Sequence, residues 1–373
     1  MELKRVFLIL ILIYFGICEE IGENLNENEL ILVEILFRHG ARTTYKFYPT
    51  DPHRNKSFYP YGLGGLTNEG KLGVYNLGLA LKSTYDSFLG NFYHEDLIEL
   101  RSTHFTRTQS SGLLVLAGMF PPNSEEKWHP TLNWQPIPIV VKPKDEEDLL
   151  SATVCPYKSK MWNNLPSIQE VQEKFITPYM ETFKYIEKHS KFQIRNPHDA
   201  IEMYFILSTE SEQNLTLPDW TKSIYPEPLT SIASQVYGYW SYGEDLKKIN
   251  IGYFLKKILN DFDQKINATL KPKSRKMFLY SGHESTLGYA LDGLNLFDSK
   301  PYIPPYASAI IFELTKNNKG NHFVSVKYLN DEIKTLKIPN CGINCPIEKF
   351  KELYKDLIPD IDFKTMCNKD VFT

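Results

Sequence analysis

Two kinds of apolar pattern alternate along the first third of the chain. Residues 31–37 (ILVEILF) and 96–103 (DLIELRST) are short and rich in aliphatic side chains, as buried strands are. Residues 66–90 (LTNEGKLGVYNLGLALKSTYDSFLG) instead space their apolar positions as a helix does, with Leu72, Tyr75, Leu79 and Leu89 as the expected stripe and Thr67 as the cap. A second helix is expected within residues 106–122 (TRTQSSGLLVLAGMFPP). Strands alternating with helices predict an α/β sheet with helices on its faces. Near residue 142 the alternation stops. From there to about 271 the chain reads as longer helical stretches, such as residues 167–189 (SIQEVQEKFITPYMETFKYIEKH), broken by proline and asparagine. Strand and helix patterns then return in KMFLYSGHESTLGYALDGL, YASAIIFELTK and HFVSVKYLN. The pattern predicts an α/β core in two pieces, residues 24–141 and 272–373, interrupted by a mostly α-helical cap over 142–271.

The N-terminus adds a compartment. Lys4 and Arg5 precede an almost wholly apolar run over residues 6–18, and Glu19 and Glu20 follow at once. The run is too short for a membrane span but suits a secretory signal peptide, residues 1–18, cut near Cys18. No second apolar run of spanning length follows, so no membrane anchor is expected. The mature protein is expected to be secreted, or delivered to a lysosome-like lumen.

In that oxidising route the four remaining cysteines, Cys155, Cys341, Cys345 and Cys367, form an even set. Cys341 and Cys345 flank Gly342 closely, which favours a bridge closing a small loop and leaves Cys155 for Cys367. No histidine stands beside them, which speaks against zinc, and no metal is expected. Asn55, Asn214 and Asn267 begin N-x-S/T sequons and are candidate glycosylation sites. A net charge of −3 and a pI of about 6.3 give no reason to expect nucleic acid or an anionic membrane as partner. Any anion site has to be local.

Such a site is visible at the ends of three expected strands, where ligands of open α/β sheets bind. Arg38, His39 and Arg42 follow the first, Arg107 follows the second, and His283 and Glu284 follow MFLYSG. Forked guanidiniums match phosphoryl oxygens two at a time and can do the work of a metal clamp. A neutral imidazole can attack phosphorus, and a carboxylic acid can protonate the leaving oxygen. Arg101 and His104 lie near Arg107 and read as structural. His53, His94, His129, His189, His198 and His322 read as surface residues without mutual metal spacing.

Taken together, LFRHGART, RSTHFTRTQSSGLLVLAGMFPP and YSGHESTLGYALDGL closely resemble the histidine acid phosphatases, branch 2 of the histidine phosphatase superfamily, and most of all secreted insect and venom members. The resemblance spans nearly the whole mature chain. It implies a phosphoglycerate-mutase-like mixed sheet flanked by helices with an inserted helical cap, and hydrolysis of small phosphomonoesters without a cofactor. It implies His39 as nucleophile, Glu284 as proton donor, and Arg38, Arg42, Arg107 and His283 as phosphate-binding residues. The same two disulfides follow from it, and it leaves a homodimer open, since relatives are often dimers. The chain departs from the family pattern at Glu284, where many members have aspartate, and at Ala41 and Thr44, where many have aspartate and proline. Glutamate keeps the carboxyl and adds a methylene. Rival expectations are a phosphatase for lysophosphatidate or inositol polyphosphates, and a secreted venom or binding protein with a vestigial site. The missing extra residue in GHES counts against inositol polyphosphates, and the intact arginine and histidine set counts against a vestigial site.

Overall fold

A strand that is apolar on both faces must be covered on both. β1 (Glu29–Arg38) is such a strand: Val33, Ile35 and Phe37 enter one buried cluster, Leu32 and Leu36 the other. The structure, a computed structural model, describes residues 28–150 and 154–369; the expected leader at 1–18 lies outside the described residues. Around β1 stand β2 (Ile98–Ser102), β3 (Val140–Val141), β4 (Met277–Gly282), β5 (Ala309–Lys316), β6 (His322–Leu329), β7 (Ile333–Leu336) and β8 (Cys345–Pro346). The sheet runs β3-β2-β4-β1-β5-β6-β7, with β8 paired to β6. β1 to β4 are mutually parallel, and the strands from β5 onward pair antiparallel. This is the helix-flanked α/β sheet that the pattern predicted, and it is mixed as the family resemblance implied. Arg38 pairs with Gly282 and Ser102 with Ser281, so β1, β4 and β2 end side by side.

On the Val33 face lie α1 (Asn68–Leu89) and α2 (Thr106–Met119). Thr67 caps α1, its Oγ1 accepting the Gly70 N–H at 3.1 Å. The buried stripe differs from the expected one. Leu72 is 60% exposed and Leu79 43% exposed, while Leu89, as expected, and Val74, Leu77, Leu81 and Tyr85 face the core. The reason is close helix packing: a Cβ on Gly78 would come within 2.2 Å of the Val115 carbonyl oxygen of α2, and one on Gly118 within 2.4 Å of the Tyr75 carbonyl oxygen. The α1–α2 contact is built on glycine, and Leu72 and Leu79 fall on the outer side.

The segment after β3 is helical: α3 (Pro156–Asn164), α4 (Met180–Ser190), α5 (Pro197–Glu212) and α6 (Tyr253–Ile266) are its longer members. The expected helix over 167–189 is broken into Gln169–Val171, Gln172–Ile176, Thr177–Tyr179 and α4, around Pro178, which has no N–H to donate. α4 and α5 share a core of their own, with Phe183, Ile186, Met203 and Leu207. α6 instead lies on the sheet, its Phe254, Ile258 and Phe262 packed with Leu32, Leu36 and Tyr280. α7 (Glu284–Gly293) and α8 (Ile347–Tyr354) complete that face. Both disulfides, Cys155–Cys367 and Cys341–Cys345, are formed, the first joining residues 212 apart in sequence. Asn55, Asn214 and Asn267 are exposed. Among the described residues no helix is long and apolar enough to cross a membrane.

Two glutamates are buried against other carboxyls. Glu34 of β1 is fully buried opposite Asp261 and Lys257 of α6; burial first, then Asp261, raise its pKa against the opposing pull of Lys257. Glu210 of α5 is fully buried beside Asp51, and burial, then the neighbouring Asp51 carboxyl, raise its pKa. A carboxyl with a raised folded-state pKa contributes stability that is complete below the ordinary glutamate value of about 4.3. That contribution is lost as pH rises towards the folded-state value. The urea midpoint should therefore fall as pH is raised from about 4.5 towards neutrality, and the double variant Glu34→Gln, Glu210→Gln should show a flatter profile in parallel unfolding curves.

Candidate active site

The loop leaving β1 is held to the sheet and to two helices. The His39 N–H donates to the Gly282 carbonyl at the end of β4 (3.1 Å), and the Gly40 N–H donates to Ser111 Oγ of α2 (3.1 Å). A Cβ on Gly40 would lie 2.1 Å from the Gly70 carbonyl oxygen, so glycine alone lets the first turn of α1 rest on this loop. β2 runs into Thr103, and Arg107 stands in the first turn of α2. β4 runs into His283, which caps α7, its N–H donating to Thr286 Oγ1 (3.3 Å), and Glu284 is the first residue of that helix. Parallel pairing of β2, β4 and β1 thus gathers all three strand ends at one edge.

His39 is 1% exposed. Its Nδ1 lies 2.8 Å from the Gly40 carbonyl oxygen, and Arg107 Nε donates to its Nε2 at 3.2 Å. A carbonyl only accepts and a guanidinium only donates, so Nδ1 carries the proton and Nε2 the lone pair. Burial first, then the charges of Arg107 and Arg38, hold the imidazole well below the ordinary histidine range and hence neutral. His283, whose ring is 5.6 Å away, is likewise lowered by burial, then by Arg107 and Arg38. Its Nε2 lies 3.1 Å from Thr103 Oγ1, which lies 2.7 Å from Thr108 Oγ1. The Thr108 hydroxyl donates to the Phe105 carbonyl (2.7 Å), so it accepts from Thr103, and Thr103 accepts from His283.

The arginines are stacked rather than paired with acids. Arg38 donates from Nη1 to the Pro304 carbonyl (2.6 Å) and lies 3.8 Å above the Tyr306 ring and 5.5 Å from that of Phe205. Its Nε and Nη2 are buried without a hydrogen-bond partner among the described residues. Arg42 donates to the Thr43 carbonyl (2.9 Å) and sits 4.8 Å from the Tyr45 ring and 5.3 Å from Phe205. Burial, then the charge of Arg42, push Arg107 down to about 10. A cavity of about 190 Å³ opens here, lined by His39, Arg42, Arg107, His283 and Glu284, with walls that include Tyr45, Phe105, Phe205 and Trp240. It is small beside the roughly 300–1,000 Å³ of typical ligand pockets. Concentrated, unpaired donors beside a neutral imidazole and a carboxyl suit a tetrahedral oxyanion that is attacked and then released.

Five of the six expected site residues line this cavity, and Arg38 stands behind them, 3% exposed and stacked on Tyr306. Arg101 turns away to Glu147 and Asp148 (2.8 and 2.7 Å), and His104 stacks on Phe105 (4.2 Å). His53, His94, His129, His189, His198 and His322 are partly or fully exposed and none lines the cavity. Thr103, Thr108, Phe205 and Tyr306 were not foreseen. Thr103 had a signal, its place at the end of an expected strand; Phe205 and Tyr306 arrive from distant segments and had none. Among the described residues no group of three or more His, Cys, Asp or Glu side chains is arranged to hold a metal ion.

A model of the histidine phosphatase superfamily (branch 2) matches residues 29–329. Venom acid phosphatase of Apis mellifera is 33% identical over 91% of this chain and 88% of its own length. Prostatic acid phosphatase of Homo sapiens is 32% identical, again over 91% of this chain and 88% of its own. Among solved structures, the phytase of Citrobacter braakii superposes with a TM-score of 0.65 at 16% identity, covering 91% of this chain and 99% of the phytase. That likeness is one of fold.

If the Tyr306 ring fixes Arg38, Tyr306→Leu should weaken competitive inhibition by inorganic phosphate several-fold, the scale of a cation–π contact of about 1 kcal/mol. Tyr306→Phe, which keeps the ring, should stay close to the unmodified protein in the same inhibition assay.

Proposed function

The chain belongs to the histidine phosphatase superfamily (branch 2) and is a phosphatase, and on that premise we propose a secreted acid phosphatase that hydrolyses phosphate monoesters through a phosphohistidine. The observation that carries this reading is the state of His39, a buried neutral imidazole with its lone pair on Nε2 inside a ring of arginines. In the first step Arg107 turns from His39 to the incoming phosphoryl group and frees Nε2. Nε2 then attacks phosphorus while the bond to the leaving oxygen breaks, and the Glu284 carboxylic acid gives that oxygen its proton. In the second step water attacks the phosphohistidine, Glu284 takes the water proton, and phosphate leaves with His39 restored. Arg38, Arg42 and Arg107 hold the phosphoryl oxygens, where charge is spread in the transition state, and His283 joins them when the bound dianion draws a second proton from the acidic medium onto its ring, so that both ring nitrogens donate.

The segment between β3 and β4 acts as the cap, since Phe205 and Trp240 come from it to wall the cavity. Secretion is supported by the leader-like N-terminus, the two disulfides, the exposed sequons, and relatives named for venom and for the lysosome. The unbroken arginine and histidine set speaks against a vestigial site.

With p-nitrophenyl phosphate at acidic pH, His39→Ala should lose activity on the order of 10³-fold or more, and full activity in that variant would refute the assignment. Because His39 stays neutral below the usual histidine pKa of about 6.5, the acid limb of kcat/KM should lie below that value. Glu284→Gln should lower kcat by about 10²-fold or more for alkyl phosphates and by less for p-nitrophenyl phosphate, whose leaving group needs little protonation.

A further inference from the structure

In any phosphomonoester the group being transferred is the same, so the arginines cannot tell one substrate from another. Discrimination has to come from what meets the leaving group. Beyond the phosphate-binding residues the cavity is walled by Tyr45, Phe105, Ile201, Phe205 and Trp240, and the charged side chains that join these walls are both acids, Glu284 and Glu202 of α5. Lys46, the cation beside them, is committed to an ion pair with Glu202. The Tyr45 hydroxyl donates to the same carboxylate at 2.5 Å, while the Tyr45 ring covers Arg42 at 4.8 Å. The Glu202 side chain is 18% exposed, so solvent and salt screen it only in part.

We propose that Glu202 is a specificity-determining residue, which sets Tyr45 as one wall for an apolar or aromatic leaving group and, by holding Lys46 in an ion pair, denies that cation to a leaving group that carries further phosphates. The substrates are then monophosphates of phenols or apolar alcohols, and polyphosphorylated polyols are rejected although the fold is shared with phytases. This rests on the phosphatase reading given above.

The test compares kcat/KM for phenyl phosphate and for phytate. The unmodified enzyme should prefer phenyl phosphate, and Glu202→Gln should shift the phytate-to-phenyl ratio towards phytate by about tenfold, the scale of one charge acting over several ångströms near a protein surface. Lys46→Gln, which leaves the Glu202 charge uncompensated, should shift the ratio the other way, and both shifts should shrink in about 0.5 M salt. An unmodified enzyme that prefers phytate, or a ratio that moves in neither variant, overturns the proposal. Failure of the unmodified enzyme on both substrates would instead overturn the catalytic reading beneath it.

Discussion

Like charges crowded out of water repel strongly, and the site depends on how that repulsion is managed. Three guanidiniums and two imidazoles share one edge of the sheet, with Arg38, His39, Arg42 and His283 buried. Arginine keeps its proton under nearly all conditions, so the histidines are the groups that yield. Both are held neutral by burial and by their arginine neighbours. The crowding that makes the pocket attractive to an oxyanion therefore also leaves an unprotonated imidazole nitrogen, His39 Nε2, beside it. Aromatic faces do what acids would otherwise do: Tyr306, Phe205 and Tyr45 lie against the guanidiniums without neutralising them.

The fold contributes by register. β1 and β2 both pair with β4, so segments far apart in sequence end at one level. Two close contacts then fix how the helices approach that level: Gly40 against the carbonyl of Gly70, and Gly78 against the carbonyl of Val115. Rigid strand ends and helix first turns hold the charged groups, while the walls of the cavity come largely from the helical segment between β3 and β4. In the proposed reaction, positioning of the phosphoryl group and selection of the leaving group thus rest on different parts of the chain.

Much of the clustered set was legible because charge placed directly after a buried strand is conspicuous in sequence, as in RHGAR and SGHE. The stripe on α1 was misread for the opposite reason. Large residues draw attention, yet Gly78 and Gly118 make the closest contact, and Leu72 and Leu79 are left outside. Tyr306, Phe205 and Glu202 leave no local trace, because their meaning depends on which side chains meet across 150 residues or more. Glu202 in particular reads in sequence as one more helix-surface acid. Its contact with Tyr45 and Lys46 exists only once α5 is folded over the loop after β1.

The Cys155–Cys367 bridge divides the site in a further sense. His39 and Arg107 precede the covalent ring that it closes, whereas His283 and Glu284 lie within that ring. A protease that cuts an exposed loop at any one point between residues 155 and 367 leaves both fragments tied through this sulfur link. His39 and Glu284 would remain parts of one molecule. For the secreted enzyme proposed above, a single nick is then a scar, and separation of the two halves requires a reductant as well.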